Sequence, residues 1–214
     1  MRVLLPFGIT TALAYETGLH IGDGSMNYYN NKGLYSLRGN KIKDKLFFDE
    51  VVKSLYSSLY HIEVKLRDFG DVYGFQICSD ELIEFKKNLG LPLGPKRNIV
   101  IPKIILENNL LSLACLRGLI ETDGNFYLEN KNGALYPRIE FSTTSQSLSK
   151  QVCFILSKNN FNFSKWCTEY SNGWLPIHRI CIRGYANLQK YIKEVDFFHP
   201  FFLQKLALLN DYKS

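Results

Sequence analysis

The chain repeats one short pattern. Gly18-Leu19-His20-Ile21-Gly22-Asp23-Gly24 and Gly118-Leu119-Ile120-Glu121-Thr122-Asp123-Gly124 share G-L-x-x-x-D-G, and the two aspartates lie 123 − 23 = 100 positions apart in a chain of 214. A repeat at half the chain length restricts the fold to two copies of one unit packed together. The neighbourhoods repeat as well. A helical pattern precedes each motif, over 11–15 and 109–116, with Thr10, Thr11 and Asn109 as caps. A β-hairpin follows each. One runs 25–29 and 34–38 around Asn30-Asn31-Lys32-Gly33, the other 125–129 and 135–141 around Asn130-Lys131-Asn132-Gly133. Next comes a helix with an apolar face, Phe47, Val51 and Leu55 in one copy and Leu148, Val152 and Leu156 in the other. Second hairpins over 62–66 with 73–78 and 163–168 with 178–183 lead into helices over 80–89 and 185–195. The expected fold is therefore α+β, two pseudo-symmetric αββαββα halves with antiparallel sheets. The Pro- and Gly-broken junction 91–102 divides the chain into 1–98 and 99–214 as a tight connection between dependent halves.

The motif has chemistry as well as shape. Gly18 and Gly22 share a helical face, as do Gly118 and Thr122. Small residues at that spacing let two helix backbones approach closely. If the motif helices pair there, Asp23 and Asp123 emerge side by side at their C-terminal ends. The helix dipole puts partial negative charge at that end, so an acid there needs a cation. Carboxylate and carbonyl oxygens suit Mg²⁺, Mn²⁺ or Ca²⁺. A single Asp-Gly after a helix reads as a turn; two at matched positions read as a site. The chain carries 26 Lys and Arg against 20 Asp and Glu, a net charge of +6, which favours a polyanionic partner. Together these features point to metal-assisted cleavage of a phosphodiester.

Other classes are disfavoured. Five cysteines form no CxxC pair, so neither a zinc site nor a redox motif is signalled, and reduced thiols fit an intracellular protein. No apolar run approaches a membrane span, and the first residues do not fit a secretory signal. Phosphate-cradling glycine loops and Ser-His-Asp arrangements are missing from the sequence.

The segments 16–24 and 116–124 resemble the two copies of the LAGLIDADG motif, the signature of the homing endonucleases and related intron maturases. The likeness is to the compact single-chain members and covers nearly the whole chain. The second copy, L-R-G-L-I-E-T-D-G, matches well; the first, E-T-G-L-H-I-G-D-G, is degenerate. The resemblance implies that the motif helices form the interface and that the strands form a saddle in the DNA major groove. It implies that Asp23 and Asp123 bind Mg²⁺ or Mn²⁺, helped by the carbonyls of Gly22 and Thr122. Ile21 stands where the family often has an acid and the second copy has Glu121, so unequal sites are expected. The family places a basic residue near each metal. Lys96 is the first choice for that catalytic role, Lys41 and Lys43 come next, and Lys205 is the expected counterpart of Lys96. Ser142 and Thr144 align with Lys41 and Lys43. The implied DNA-contacting residues are Tyr28, Tyr35, Arg38, Lys41 and Lys43, with Tyr127, Glu129, Arg138 and Glu140 in the second half. His20 reads as a packed helix residue. The implied function is a monomeric, site-specific double-strand endonuclease with a long, poorly symmetric target. The alternative is an intron RNA maturase or DNA-binding regulator that does not cleave. On this reading the positive charge gathers on the strand surface and at the junction lysines. Acids such as Asp49-Glu50 and Asp80-Glu81 then fall on the outer helices.

Overall fold

A computed structural model describes residues 3–213, with side chains described up to 209. The first half is α1 (Thr11–Asp23), β1 (Gly24–Tyr29), β2 (Lys32–Asn40), α2 (Lys45–Phe47), a π-helical turn (Phe48–Val52), α3 (Lys53–Tyr60), β3 (Arg67–Phe69), β4 (Val72–Cys78) and α4 (Asp80–Leu89). The second is α5 (Lys103–Glu107), α6 (Asn109–Thr122), β5 (Gly124–Lys131), β6 (Ala134–Thr143), α7 (Gln146–Lys158), β7 (Phe163–Thr168), β8 (Ile177–Arg183), α8 (Tyr185–Glu194) and α9 (Pro200–Lys213). Both sheets are antiparallel and have the same order, β1-β2-β4-β3 and β5-β6-β8-β7. The sequence repeat is thus a structural repeat. Among the described residues, no helix is long and apolar enough to cross a membrane.

Local chemistry explains the element ends. The Thr10 hydroxyl accepts from Leu13 N at the start of α1, and the Asn108 side chain, not Asn109, accepts from Leu111 N at the start of α6. Both first hairpins turn on two residues with positive φ, Asn30 and Asn31 (+49°, +59°) and Asn132 and Gly133 (+54°, +85°). That handedness matches the twist of paired strands, so pairing runs right up to the turn at Tyr29–Lys32 and Lys131–Ala134.

Two expectations need correction. The π-helical turn inserts residues into the helical repeat and rotates the buried face. Phe47 stays buried, but Phe48, Val52, Tyr56 and Leu59 take over the core while Val51 and Leu55 are half-buried. The regular α7 keeps Leu148, Val152 and Leu156 buried as expected. Residues 62–66 form no strand; Ile62 and Val64 sink into the core, and pairing with β4 begins only at Arg67. Helices α5 and α9 were not anticipated.

Helices α1 and α6 pack backbone to backbone. A Cβ on Gly18 would lie 2.2 Å from the Cys115 carbonyl oxygen, and one on Gly118 would lie 2.3 Å from that of Tyr15. A Cβ on Gly22 would meet Thr122 Oγ1 at 2.0 Å. Beneath the first sheet, Glu16 of α1 and Lys86 of α4 form a fully buried ion pair. Tyr35, Tyr56 and Tyr60 donate to the same carboxylate at 3.1, 2.5 and 3.2 Å. Tyr35 is therefore a core residue, not a DNA-contacting one.

Candidate active site

Each motif helix ends where a strand begins. The α1 helix stops at Asp23 and α6 at Thr122, with Asp123 as its C-cap. Gly24 and Gly124 open β1 and β5 at once. Because the helices touch at Gly18, Gly22 and Gly118, their ends meet as well. The Asp123 carboxyl carbon lies 3.4 Å from where a Gly22 Cβ would stand. Burial, then the charges of Asp123 and Asp44, push the Asp23 carboxyl up to about 7. Burial also raises Asp123, and the nearby Lys96 opposes that rise. Paired carboxylates this reluctant to ionise form a site short of positive charge.

Lys96 supplies some of it. From the junction its ammonium donates to the carbonyls of Gly22 (2.5 Å), Ile21 (2.8 Å) and His20 (3.2 Å) at the end of α1. A cavity of about 420 Å³ opens beside it, lined by Gly22, Lys96, Asp123, Ser142, Thr143 and Thr144 among others. The first sequence choice for a basic residue thus stands at the aspartates. Lys41 instead pairs with Asp68 at 2.7 Å, and it is not among the charges acting on either aspartate. Nor does Lys205 mirror Lys96. Helix α9 carries it alongside β5, where it donates to the Phe126 carbonyl at 2.6 Å. Near Asp23 the first half places Lys43, whose charge acts on Asp23 and whose ammonium lies over the Phe202 ring at 5.3 Å. Asp44, missed in the sequence, bonds buried His199 at 3.1 Å and joins this negative cluster. Its counterpart at the second helix is the capping residue Ser145, which hides the asymmetry.

The motif's other polar residues are structural. His20 is fully buried, stacks on Tyr35, and is held well below its usual pKa by burial and by Lys86 and Lys96. Glu121 accepts from Tyr15 Oη, Phe198 N and His199 N, and so latches the C-terminal segment onto α6. Burial pushes its carboxyl up to about 7.

Among the described residues, no three His, Cys, Asp or Glu side chains gather as a metal cluster. The donors at the helix ends are two carboxylates and the carbonyls of Gly22 and Thr122. An all-oxygen set of that kind fits a hard divalent ion that keeps several of its waters. A cavity of about 740 Å³ lies elsewhere, between Thr11, Val51, Leu110, Arg117, Phe198 and their neighbours. It contains neither aspartate.

Strand register fixes which residues face away from the helices. Met26, Tyr35, Leu37, Phe75 and Ile77 point into the core. Ser25, Asn27, Lys32, Arg38, Gln76 and Arg67 therefore share the open face of the first sheet. Arg38 lies there over Phe69 at 4.0 Å. Tyr28 does not, because its hydroxyl bonds Glu84 of α4 on the helix side at 2.6 Å. In the second sheet Tyr127, Glu129, Arg138 and Glu140 share the open face with Arg179 and Arg183. The two faces differ in charge. Arg138 and Lys131 pair with Glu129 at 2.5 and 3.3 Å, and Arg179 faces Glu140 at 3.9 Å. Among the described residues, Lys32, Arg38 and Arg67 on the first face and Arg183 on the second have no acid partner. Lys32, Arg67, Arg179 and Arg183 were missed in the sequence. Counting by twos from Met26 along β1 and from its partner Tyr35 along β2 would have excluded Tyr28 and Tyr35 and found Lys32.

Comparison with known proteins places this geometry. A LAGLIDADG-like domain model matches residues 111–196. The chain is 26% identical over 196 residues to an A-type ATP synthase subunit from Pyrococcus abyssi (strain GE5 / Orsay). That match covers 88% of this chain but only 17% of the relative's length. Among solved structures, a mesophilic variant of the homing endonuclease I-DmoI superposes with a TM-score of 0.62 at 16% identity, covering 86% of this chain and 95% of that one. I-DmoI in complex with DNA and Mn gives 0.59 at 18%, covering 87% and 96%. The meganuclease I-AabMI bound to uncleaved DNA gives 0.57 at 14%, covering 96% and 92%. Residues 111–196 thus match a LAGLIDADG-like domain, and the chain as a whole has the pseudo-symmetric two-unit fold of the LAGLIDADG endonuclease structures.

Proposed function

We propose that this chain is a site-specific, divalent-metal-dependent double-strand DNA endonuclease acting as a monomer. The observation that carries the reading is the convergence of Asp23, Asp123 and Lys96 at the meeting point of the motif helices. Structural neighbours add support: I-DmoI has been crystallised with DNA and Mn, and with DNA and Ca.

Asp23, Asp123 and the carbonyls of Gly22 and Thr122 would hold Mg²⁺ or Mn²⁺. When bound, such an ion polarises the scissile phosphate and acidifies an attacking water. The chain's own residues do the rest. Each aspartate orients the chemistry on one strand. Lys96 neutralises charge building on the phosphate. Ser142 and Thr144 offer hydroxyls in the cavity beside Asp123, where the Asp23 side has Lys43. The open sheet faces contact the duplex, the first through three cations without acid partners and the second through acid–base pairs and Arg183. Faces this different suit a target that lacks twofold symmetry.

Selection of bound duplexes from a randomised library, followed by incubation with Mg²⁺, tests the proposal. The expected result is cleavage of both strands of the selected site. Binding without cleavage would return the chain to a DNA-binding regulator or an intron RNA maturase. Affinity should fall steeply with salt. Changing Lys32, Arg38 and Arg67 together to alanine should flatten the slope of log K against log salt by about 3, one for each lost phosphate contact. Fluorescence anisotropy across a salt series measures that slope.

A further inference from the structure

Lys96 places all of its hydrogen-bonding capacity at the end of α1. Three protons meet three carbonyls, those of His20, Ile21 and Gly22. Those of Ile21 and Gly22 are among the carbonyls a helix leaves without intrahelical partners, at its negative end, while that of His20 also accepts from Gly24 N. The lysine is delivered by a fixed junction: Gly94 N donates to Met26 O at 2.9 Å and Ile99 N donates to Lys96 O at 3.2 Å. Its ammonium is drawn by both Asp123 and Asp23. At the other helix end the arrangement is not repeated. Among the described residues, no side-chain ammonium reaches the Thr122 carbonyl, and Lys205 is committed to Phe126.

We propose that Lys96 is a built-in cation at the α1 end, that a divalent ion taking the Gly22 carbonyl must lift it off, and that the two metal positions are therefore unequal in affinity. This rests on the endonuclease reading, which puts metal on that carbonyl. A divalent ion and an ammonium on one carbonyl oxygen stand within a few ångströms of each other. Their repulsion is strong at any dielectric a protein offers. The lysine must yield, and the cavity beside Asp123, Ser142 and Thr144 gives it a place to go. There it points toward the position proposed for the scissile phosphate. Metal loading and lysine release become one event at the first motif, while the Thr122 side fills without competition.

The test is calorimetric titration of the full chain with Ca²⁺, alongside NMR of its ¹⁵N-labelled lysine ammonium groups. Wild type should show two classes of site. Lys96→Met should tighten the weaker class by about tenfold, the value of a lost charge-assisted bond. The stronger class should stay within about twofold, as independent sites do. Lys96→Arg, which keeps a cation on the carbonyls, should keep the weaker class weak. The Lys96 ammonium signal should be protected without added metal and should change as the weaker site fills. Equal tightening of both classes by Lys96→Met would overturn the proposal, because general repulsion acts on both aspartates. So would a Lys96 signal unchanged at saturation. Absence of any Ca²⁺ binding by wild type would instead overturn the endonuclease reading beneath it.

Discussion

Replacing Lys86 with methionine should destabilise the protein by about 3–5 kcal/mol, the usual cost of removing one partner of a buried ion pair. The thermal midpoint should fall by about 10–15 °C in a chain of this size. Lys86 is fully buried and bonds Glu16, itself fully buried. Burial lowers the lysine's pKa and the glutamate raises it back, so each charge is tolerated only because of the other. Methionine fills the space but leaves the carboxylate with only tyrosine hydroxyls. Glu16→Gln in the Lys86→Met background should recover more than half of the loss. The amide oxygen still accepts from Tyr35 and Tyr56, its NH2 donates to the Tyr60 hydroxyl oxygen, and the group carries no charge. Urea unfolding at constant m-value measures wild type and both variants.

Gly18→Ala should cost about 2–3 kcal/mol, at the upper end for overpacking, because the obstruction is backbone. The added methyl carbon would stand 2.2 Å from the Cys115 carbonyl oxygen, more than 1 Å inside ordinary contact. Relief requires α1 and α6 to separate, and separation moves Asp23 away from Asp123. A misplacement of about 1 Å is enough to cost about 100-fold in rate, so cleavage should fall that far even in molecules that remain folded. Gly8→Ala is the control. A Cβ there meets nothing within 4 Å, and the variant should match wild type in both assays.

What the sequence made legible was local or repeated. The helix contact was readable because Gly18, Gly22 and Gly118 lie at fixed spacing in both copies. The hairpins were readable because Asn30-Asn31 and Asn132-Gly133 tolerate the positive φ their turns need. Lys96 was readable because the junction runs close to the second motif. Long-range partners were not readable. Nothing near Glu16 announces Lys86, 70 positions away, so the largest buried charge pair was missed. The π-helical turn leaves no mark on the spacing of Phe47, Val51 and Leu55, yet it changes which of them reach the core. Tyr28 and Tyr35 looked like groove residues by type. The parity set by Met26 turns both toward the helices, one onto Glu84 and the other into the Glu16 cluster. Lys205 sits where the repeat places a partner for Lys96, but α9 exists only after the second copy and carries it to Phe126.

On the endonuclease reading, Asp23 and Asp123 form a divided active site, one carboxylate for each strand. Substituting asparagine keeps the shape of either side chain and removes its charge. Two like charges at the negative ends of two helices repel each other, so Asp23→Asn and Asp123→Asn should fold at least as well as wild type. Both should bind the selected duplex with unchanged affinity. The decisive measurement is strand-resolved cleavage of that duplex with Mg²⁺ by wild type, each single variant and the pair. The double variant should lose cleavage by about 1,000-fold or more, the scale for losing preorganised electrostatic stabilisation. Cleavage of both strands by the double variant at the wild-type rate would contradict that reading.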